Sequence, residues 1–145
     1  MSYEDIKKIA QHTRAWAMRN RCWSKNGRVV DDNGVYSYFP KDLCGMCGIA
    51  AARLFTNLQD AGYQPQLAMR NSSYDGHCFV IVDGFIVDVT ATQFGLKPVE
   101  IVPLLPKPKR PIFWRETSLF DSVQQLVVRQ KRSGWPDDQI AQADK

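Results

Sequence analysis

The hydrophobic positions of this chain change period several times, and each change marks a predicted element. From Ser2 to about Asn20, Ile6, Ile9, Ala10, Thr13 and Ala17 recur at helical spacing, behind a Ser2-Tyr-Glu-Asp5 start that approximates a capping box. Trp16 flanks that stripe, and His12 sits among polar neighbours and faces solvent. From Arg21 to Asp42 the period is lost. Asn26-Gly27, Asp31-Asp32-Asn33-Gly34 and Phe39-Pro40 are turn signals, with Val29, Val30 and Val35 to Phe39 left as short strands or packed apolar groups. A helical stripe returns with Ala50, Ala51, Leu54, Leu58 and Ala61, following a candidate N-cap at Asp42. Gly45 and Gly48 are poor interior helix residues, so the helix proper starts near Cys47, and Gly62 suits its C′ position.

Gln64 to Arg70 alternates as a strand, and the polar turn Asn71–Gly76 leads from it to the chain's densest β signal. Runs of Val, Ile and Phe flank Asp83-Gly84, a dipeptide that favours a two-residue type I′ hairpin. A turn that tight pairs Val82 with Phe85, Ile81 with Ile86, Phe79 with Asp88 and His77 with Thr90. Alternation then places His77, Phe79, Ile81, Ile86, Asp88 and Thr90 on one face and Cys78 on the other, where it reads as a small core residue. His77 and Asp88 lie diagonally across the pair, with Cα atoms roughly 7–8 Å apart. An unpaired carboxylate against an apolar core is costly, and an imidazole on the same face is its natural partner. Taken alone, such a pair reads equally as a satisfied core contact or as part of a site.

Ala91–Gly95 reads as a connection. Prolines 98, 103, 106, 108 and 111 break up the next stretch, leaving Ile101–Leu105 as an edge strand and Lys107–Pro111 as an extended surface segment. Ser118-Leu-Phe-Asp121 resembles a capping box and opens a helix through about Arg132, with Phe120, Val123, Leu126 and Val127 inward. Gly134-Trp135-Pro136 ends it, and the polar tail 134–145 is expected to fray. The fold class expected is α+β in a single domain over 1–145, with a core at about 42–105 and a C-terminal helix at about 118–133.

Composition changes this picture little. With 145 residues, 44% hydrophobic and 23% charged, the chain is long enough for one core without staples. A net charge of +4 reads as a solvated basic surface, so no nucleic-acid partner is expected. No basic-then-apolar leader pattern stands at the N-terminus, and no apolar run reaches the roughly 20 residues of a membrane helix, so no membrane association and a cytoplasmic location are expected.

The four cysteines, Cys22, Cys44, Cys47 and Cys78, matter more. Without a leader, a disulfide framework is not expected, which leaves metal ligation or nucleophilic chemistry. A cysteine nucleophile needs a means of forming thiolate, an adjacent base and a group that orients the base. Cys47 stands at a helix N-terminus, which lowers a thiol pKa, and an imidazolium at His77 lowers it further. Asp88 is able to accept from the other ring nitrogen.

The segment from about Leu43 to Phe94 resembles the transglutaminase-like branch of the papain-like cysteine peptidase superfamily. Gly45-Met-Cys47-Gly-Ile-Ala-Ala51 fits its G-x-C-x-x-x-A motif, His77-Cys-Phe79-Val80 its H-x-[WF]-V strand start, and Asp88-Val-Thr90 its D-x-T. The resemblance implies a nucleophile helix packed on a small antiparallel sheet, Cys47 as nucleophile, His77 as base and then acid, and Asp88 as orienter. It also implies thioester chemistry on a protein or peptide substrate, without cofactor or metal, with hydrolysis of an amide or peptide bond expected first. Protein-glutamine deamidation and transglutamination share that thioester. The stretch from His77 to Asp88 is shorter than in many relatives. Cys44, one helical turn before Cys47, reads as a packing residue or a second thiol. The Cys47 amide is one expected oxyanion donor, and Trp23, Asn33, Tyr38 and Gln93 are candidates for the other or for substrate contact. Two readings of another kind stand beside this one. A non-catalytic binding domain would keep the fold without turnover. A zinc site would use Cys44, Cys47, His77 and Cys78, although adjacent strand residues point to opposite faces.

Overall fold

The computed structural model describes residues 3–20, 28–31, 33–38, 47–71 and 76–132, with 28–30, 36–38, 131 and 132 described by their backbone alone. Expectations placed on Ser2, Cys22, Trp23, Asp42, Cys44 and the 134–145 tail fall outside these residues, as does the side chain of Tyr38. Among the described residues, three helices, α1 (Tyr3–Arg19), α2 (Cys47–Asp60) and α3 (Val123–Arg132), accompany seven strands. β1 (Arg28–Val30) and β2 (Tyr36–Tyr38) form a hairpin of their own. The other five are β3 (Gln66–Arg70), β4 (His77–Val82), β5 (Phe85–Asp88), β6 (Glu100–Pro103) and β7 (Ser118–Phe120). They make one antiparallel sheet in the order β6-β5-β4-β3-β7. The protein is therefore α+β. No helix among the described residues is long and apolar enough to cross a membrane.

The stripe read in α1 is the buried one: Ile6, Ala10, Thr13 and Ala17 face inward. In α2 the small residues Gly48, Ala50, Ala51 and Ala52 are all buried, which brings the helix backbone close to the sheet, with Leu54, Phe55 and Leu58 filling the space beyond. Leu67, Met69, Cys78, Val80, Val82, Val87 and Val89 meet this helix layer from one face of the sheet. Ala68, Phe79, Ile81 and Ile86 project from the other face and are covered by Ala91 and Trp114. Both faces of β4 are thus buried, which explains its unbroken apolar run.

The central hairpin turns as expected. Asp83 and Gly84 both have positive φ, 50° and 78°, the type I′ conformation whose twist matches that of the flanking strands. Val82 pairs with Phe85, Ile81 with Ile86 and Val80 with Val87. The ladder then stops: the expected pairs Phe79–Asp88 and His77–Thr90 do not form. The Asp88 carboxylate accepts the Thr90 amide at 2.9 Å, bending the chain out of the sheet into a 3-10 turn over Ala91–Phe94. Asp88 itself pairs with Glu100 of β6. β5 therefore parts from β4 beside His77.

Two further expectations are corrected. Ser118–Phe120 is not the start of the last helix but strand β7, paired with Leu67–Met69 of β3. Leu119 projects outward while Phe120 is buried, a short amphipathic alternation that the capping pattern masked. The helix begins later, where Ser122 Oγ accepts the Gln125 amide at 3.2 Å and Gln125 Oε1 accepts the Asp121 amide at 2.8 Å, a reciprocal cap four positions along from the one read. The stretch Lys107–Pro111 is not simply extended. It forms a 3-10 turn at Lys107–Lys109, followed by another at Ile112–Trp114, and folds around a buried Arg110.

Candidate active site

Cys47 is the first residue of α2 and His77 the first of β4. Because α2 packs on the face of the sheet that carries Cys78, the imidazole and the helix start from opposite sides. They meet where β5 has left β4, a gap that the hairpin pattern alone does not show. The Cys47 sulfur accepts hydrogen bonds from the Cys78 thiol and backbone amide and from His77. It is partly open to solvent, while Cys78 is buried and both thiols are free.

On the far side of the ring, His77 Nε2 lies 2.6 Å from Asp88 Oδ2, with both side chains essentially inaccessible. This contact bridges the two strands where their backbones separate. The same Oδ2 accepts the indole N–H of Trp114 at 2.8 Å, and Oδ1 accepts the Thr90 amide at 2.9 Å and hydroxyl at 3.3 Å. Both carboxylate oxygens are thereby filled with donors, which makes a buried anion tolerable. The imidazole is flanked by Phe79, stacked at 6.0 Å, and by Phe94, edge-on at 4.8 Å, which lies flat against Phe113 at 4.1 Å.

Gln93 Nε2 sits 3.2 Å from His77 Nδ1, and it also donates to Thr90 Oγ1 at 3.3 Å. A neutral ring, with Nε2–H given to Asp88, has Nδ1 free to accept this amide. When Nδ1 carries a proton toward sulfur, the amide has to reverse or withdraw, because two donors cannot face one another.

The electrostatics follow from these contacts. The Cys78 thiol bond, and then the bond and charge of His77, hold the Cys47 thiol well below its ordinary range against the burial that opposes charge. Burial also works against the imidazolium, but the Asp88 charge and hydrogen bond, with those of Cys47, carry His77 up to about 10. Burial pushes the Asp88 carboxyl up. The His77 charge and bond, together with the Trp114 and Thr90 bonds, overcome it and leave the carboxyl lowered. Bonding to Cys47 and burial raise the Cys78 thiol, so the shared proton stays on Cys78. The site as a whole favours thiolate beside imidazolium.

Of the residues read from sequence, Cys47, His77, Asp88 and Gln93 come together. Asn33 does not join them: it lies exposed in the β1–β2 turn, its amide bonded to Asp31. Two participants had no sequence signal, and a third was read in another role. Trp114 arrives from a proline-rich strap 26 residues beyond Asp88. Arg14, on α1, donates to the Val89 carbonyl and Thr92 Oγ1, both at 3.0 Å, and its charge faces Asp88. Cys78, read as a core residue or as one ligand of a zinc site, neighbours the Cys47 thiol. Among the described residues, no three His, Cys, Asp or Glu side chains converge in the way a metal ion requires. Comparison of the chain with protein-family models, with curated proteins and with solved structures finds no match in any of the three.

Proposed function

We propose that this protein is a thiol acyl-transfer enzyme with a papain-like, transglutaminase-like core, in which Cys47 is the nucleophile, His77 the base and then the acid, and Asp88 the orienter. The observation that carries the reading is that one buried imidazole, His77, neighbours the Cys47 thiol and bonds an Asp88 carboxylate whose other lone pairs are occupied. A carboxylate so held keeps Nε2 protonated and leaves Nδ1 for sulfur, the arrangement a cysteine nucleophile needs. Attack of the thiolate on an amide carbonyl gives a tetrahedral oxyanion. Nδ1–H then protonates the departing amine, and the thioester passes to water, whose proton returns to Nδ1. Hydrolysis of an amide or peptide bond is the reaction proposed. An amine in place of water gives transglutamination, and a glutamine side chain as acyl donor gives deamidation.

The decisive experiment is the pH dependence of iodoacetamide alkylation at Cys47, followed by peptide mass. Cys47 is expected to alkylate well below the pH of about 8.5 at which an ordinary thiol ionises, and His77→Ala to move its midpoint upward. Alkylation of Cys47 with ordinary thiol pH dependence, unchanged by His77→Ala, would remove the catalytic reading and leave a binding domain.

A further inference from the structure

We propose that Cys47 and Cys78 form a reversible oxidation site, in which a hydroperoxide oxidises the Cys47 sulfur and Cys78 closes the product as an intramolecular disulfide. The inference goes beyond acyl transfer and shares with it the Cys47 thiolate and the His77 proton.

The placement is specific. Cys78 follows His77 directly, so strand alternation turns its thiol to the helix side, where it joins the buried cluster against which Cys47 packs. Cys47 packs against the cluster that holds Cys78, and the Cys78 thiol and backbone amide both act as donors toward the Cys47 thiol, so the two cysteines are neighbours where α2 meets β4. Their exposures differ in the sense the chemistry needs. Cys47 is partly open, and a small hydroperoxide reaches it, whereas Cys78 is only 6% exposed and does not meet solvent oxidants. Oxidation therefore starts at Cys47 and finishes at Cys78.

The steps balance. The Cys47 thiolate attacks one peroxide oxygen, an S–O bond forms and the O–O bond breaks. Sulfur is oxidised by two electrons, and the departing alkoxide or hydroxide takes the His77 Nδ1 proton. Once Cys47 is an uncharged sulfenic acid, the negative charge that held the proton on Cys78 is gone. The Cys78 sulfur attacks, the S–O bond breaks, and the oxygen leaves as water with the Cys78 proton. A dithiol reductant restores both thiols. While the disulfide stands, Cys47 has no free thiolate. The sulfinic acid, which dithiols do not reverse, is avoided because the resolving thiol is already a neighbour.

The test uses the whole protein and hydrogen peroxide at one to a few equivalents. The expected result is an intact-mass loss of about 2 Da, with a non-reduced digest joining the Cys47 and Cys78 peptides, and recovery of Cys47 alkylation after dithiothreitol. Cys78→Ala is expected to gain about 32 Da as sulfinic acid under the same conditions and to lose alkylation irreversibly. Cys78→Val fills the space more closely and stands in should the alanine variant fold poorly. A Cys44–Cys47 bridge in the unsubstituted protein, or oxygen addition to Cys47 without a disulfide, overturns the proposal. Both outcomes leave the alkylation test of acyl transfer untouched, so the two readings fail separately.

Discussion

The indole nitrogen of Trp114 donates at 2.8 Å to the same Asp88 oxygen that His77 Nε2 approaches at 2.6 Å. Asp88 is thus shared between the imidazole of His77 and the indole of Trp114. The second ring holds the carboxylate plane and keeps its charge where His77 needs it. Trp114→Phe retains the ring and removes the donor. A buried charge-assisted bond of this kind is worth about 1.5–3 kcal/mol, and urea denaturation at pH 7 is expected to show a loss of that order. The Asp88 carboxyl is lowered in the fold, so its stabilisation is present above the unfolded value of about 3.9 and disappears as pH falls through the folded value. With one donor gone the folded value rises, and acid unfolding of Trp114→Phe starts at a higher pH than in the unsubstituted protein.

The Cys47–His77 pair gives stability a pH profile that a lone histidine lacks. Near pH 7–8 the folded pair carries one proton, on His77, and the unfolded chain carries one, on Cys47, so the unfolding free energy is level. Below about 6.5 the unfolded histidine gains a proton and stability falls with falling pH. Above about 8.5 the unfolded thiol loses its proton, whereas folded His77 keeps its own until about 10, and stability falls with rising pH. In Cys47→Ser only the raised His77 remains. Its contribution is full below about 6.5 and is lost as pH climbs through its folded value, so the alkaline decline begins about two pH units earlier. Denaturation midpoints from pH 6 to 10 for the two proteins check this. Coincident profiles would mean that Cys47 and His77 are not an ion pair.

Gln93 competes with sulfur for His77 Nδ1. Its amide nitrogen lies 3.2 Å from Nδ1, and a donor at that distance favours the neutral ring over the form paired with thiolate. Gln93→Ala removes a bond worth about 1 kcal/mol, so the midpoint of Cys47 alkylation is expected to drop by roughly half to one pH unit. A rise instead would mean that the amide turns its oxygen to Nδ1–H and supports the cation.

Trp114 is itself held by a buried ion pair. Arg110 donates to Glu116 Oε2 at 2.5 Å, to the Trp114 carbonyl at 3.1 Å and to the Leu105 carbonyl at 2.6 Å, and Lys107 reaches the other Glu116 oxygen at 3.3 Å. Removing Glu116 leaves the buried guanidinium without a counter-ion, and removing Arg110 leaves the buried carboxylate with only the exposed Lys107. Glu116→Gln and Arg110→Met singly are each expected to cost about 3–5 kcal/mol, and the double replacement less than either. A double-mutant cycle read by chemical denaturation checks it. Each single variant also loosens the strap that carries Trp114, so its acid unfolding moves in the same direction as that of Trp114→Phe.

Local pattern was enough for a good part of this protein. The α1 and α2 stripes, the Asp83-Gly84 turn, the sharing of one sheet face by His77 and Asp88, and the position of Cys47 at a helix start all follow from periodicity and turn chemistry, which act over a few residues. Where two local codes overlapped, the pattern misled. Ser118–Asp121 satisfies a cap on paper, yet the free edge of β3 offers Ser118–Phe120 a ladder, and pairing won. The site needed more than local pattern. That β5 parts from β4 beside His77, that α2 lies on the Cys78 face, and that Trp114, Arg14 and Gln93 close around Asp88 and the imidazole all depend on contacts between segments far apart in the chain. A hydrogen bond between residues 26 apart leaves no period behind, because the folded packing alone sets its direction and length.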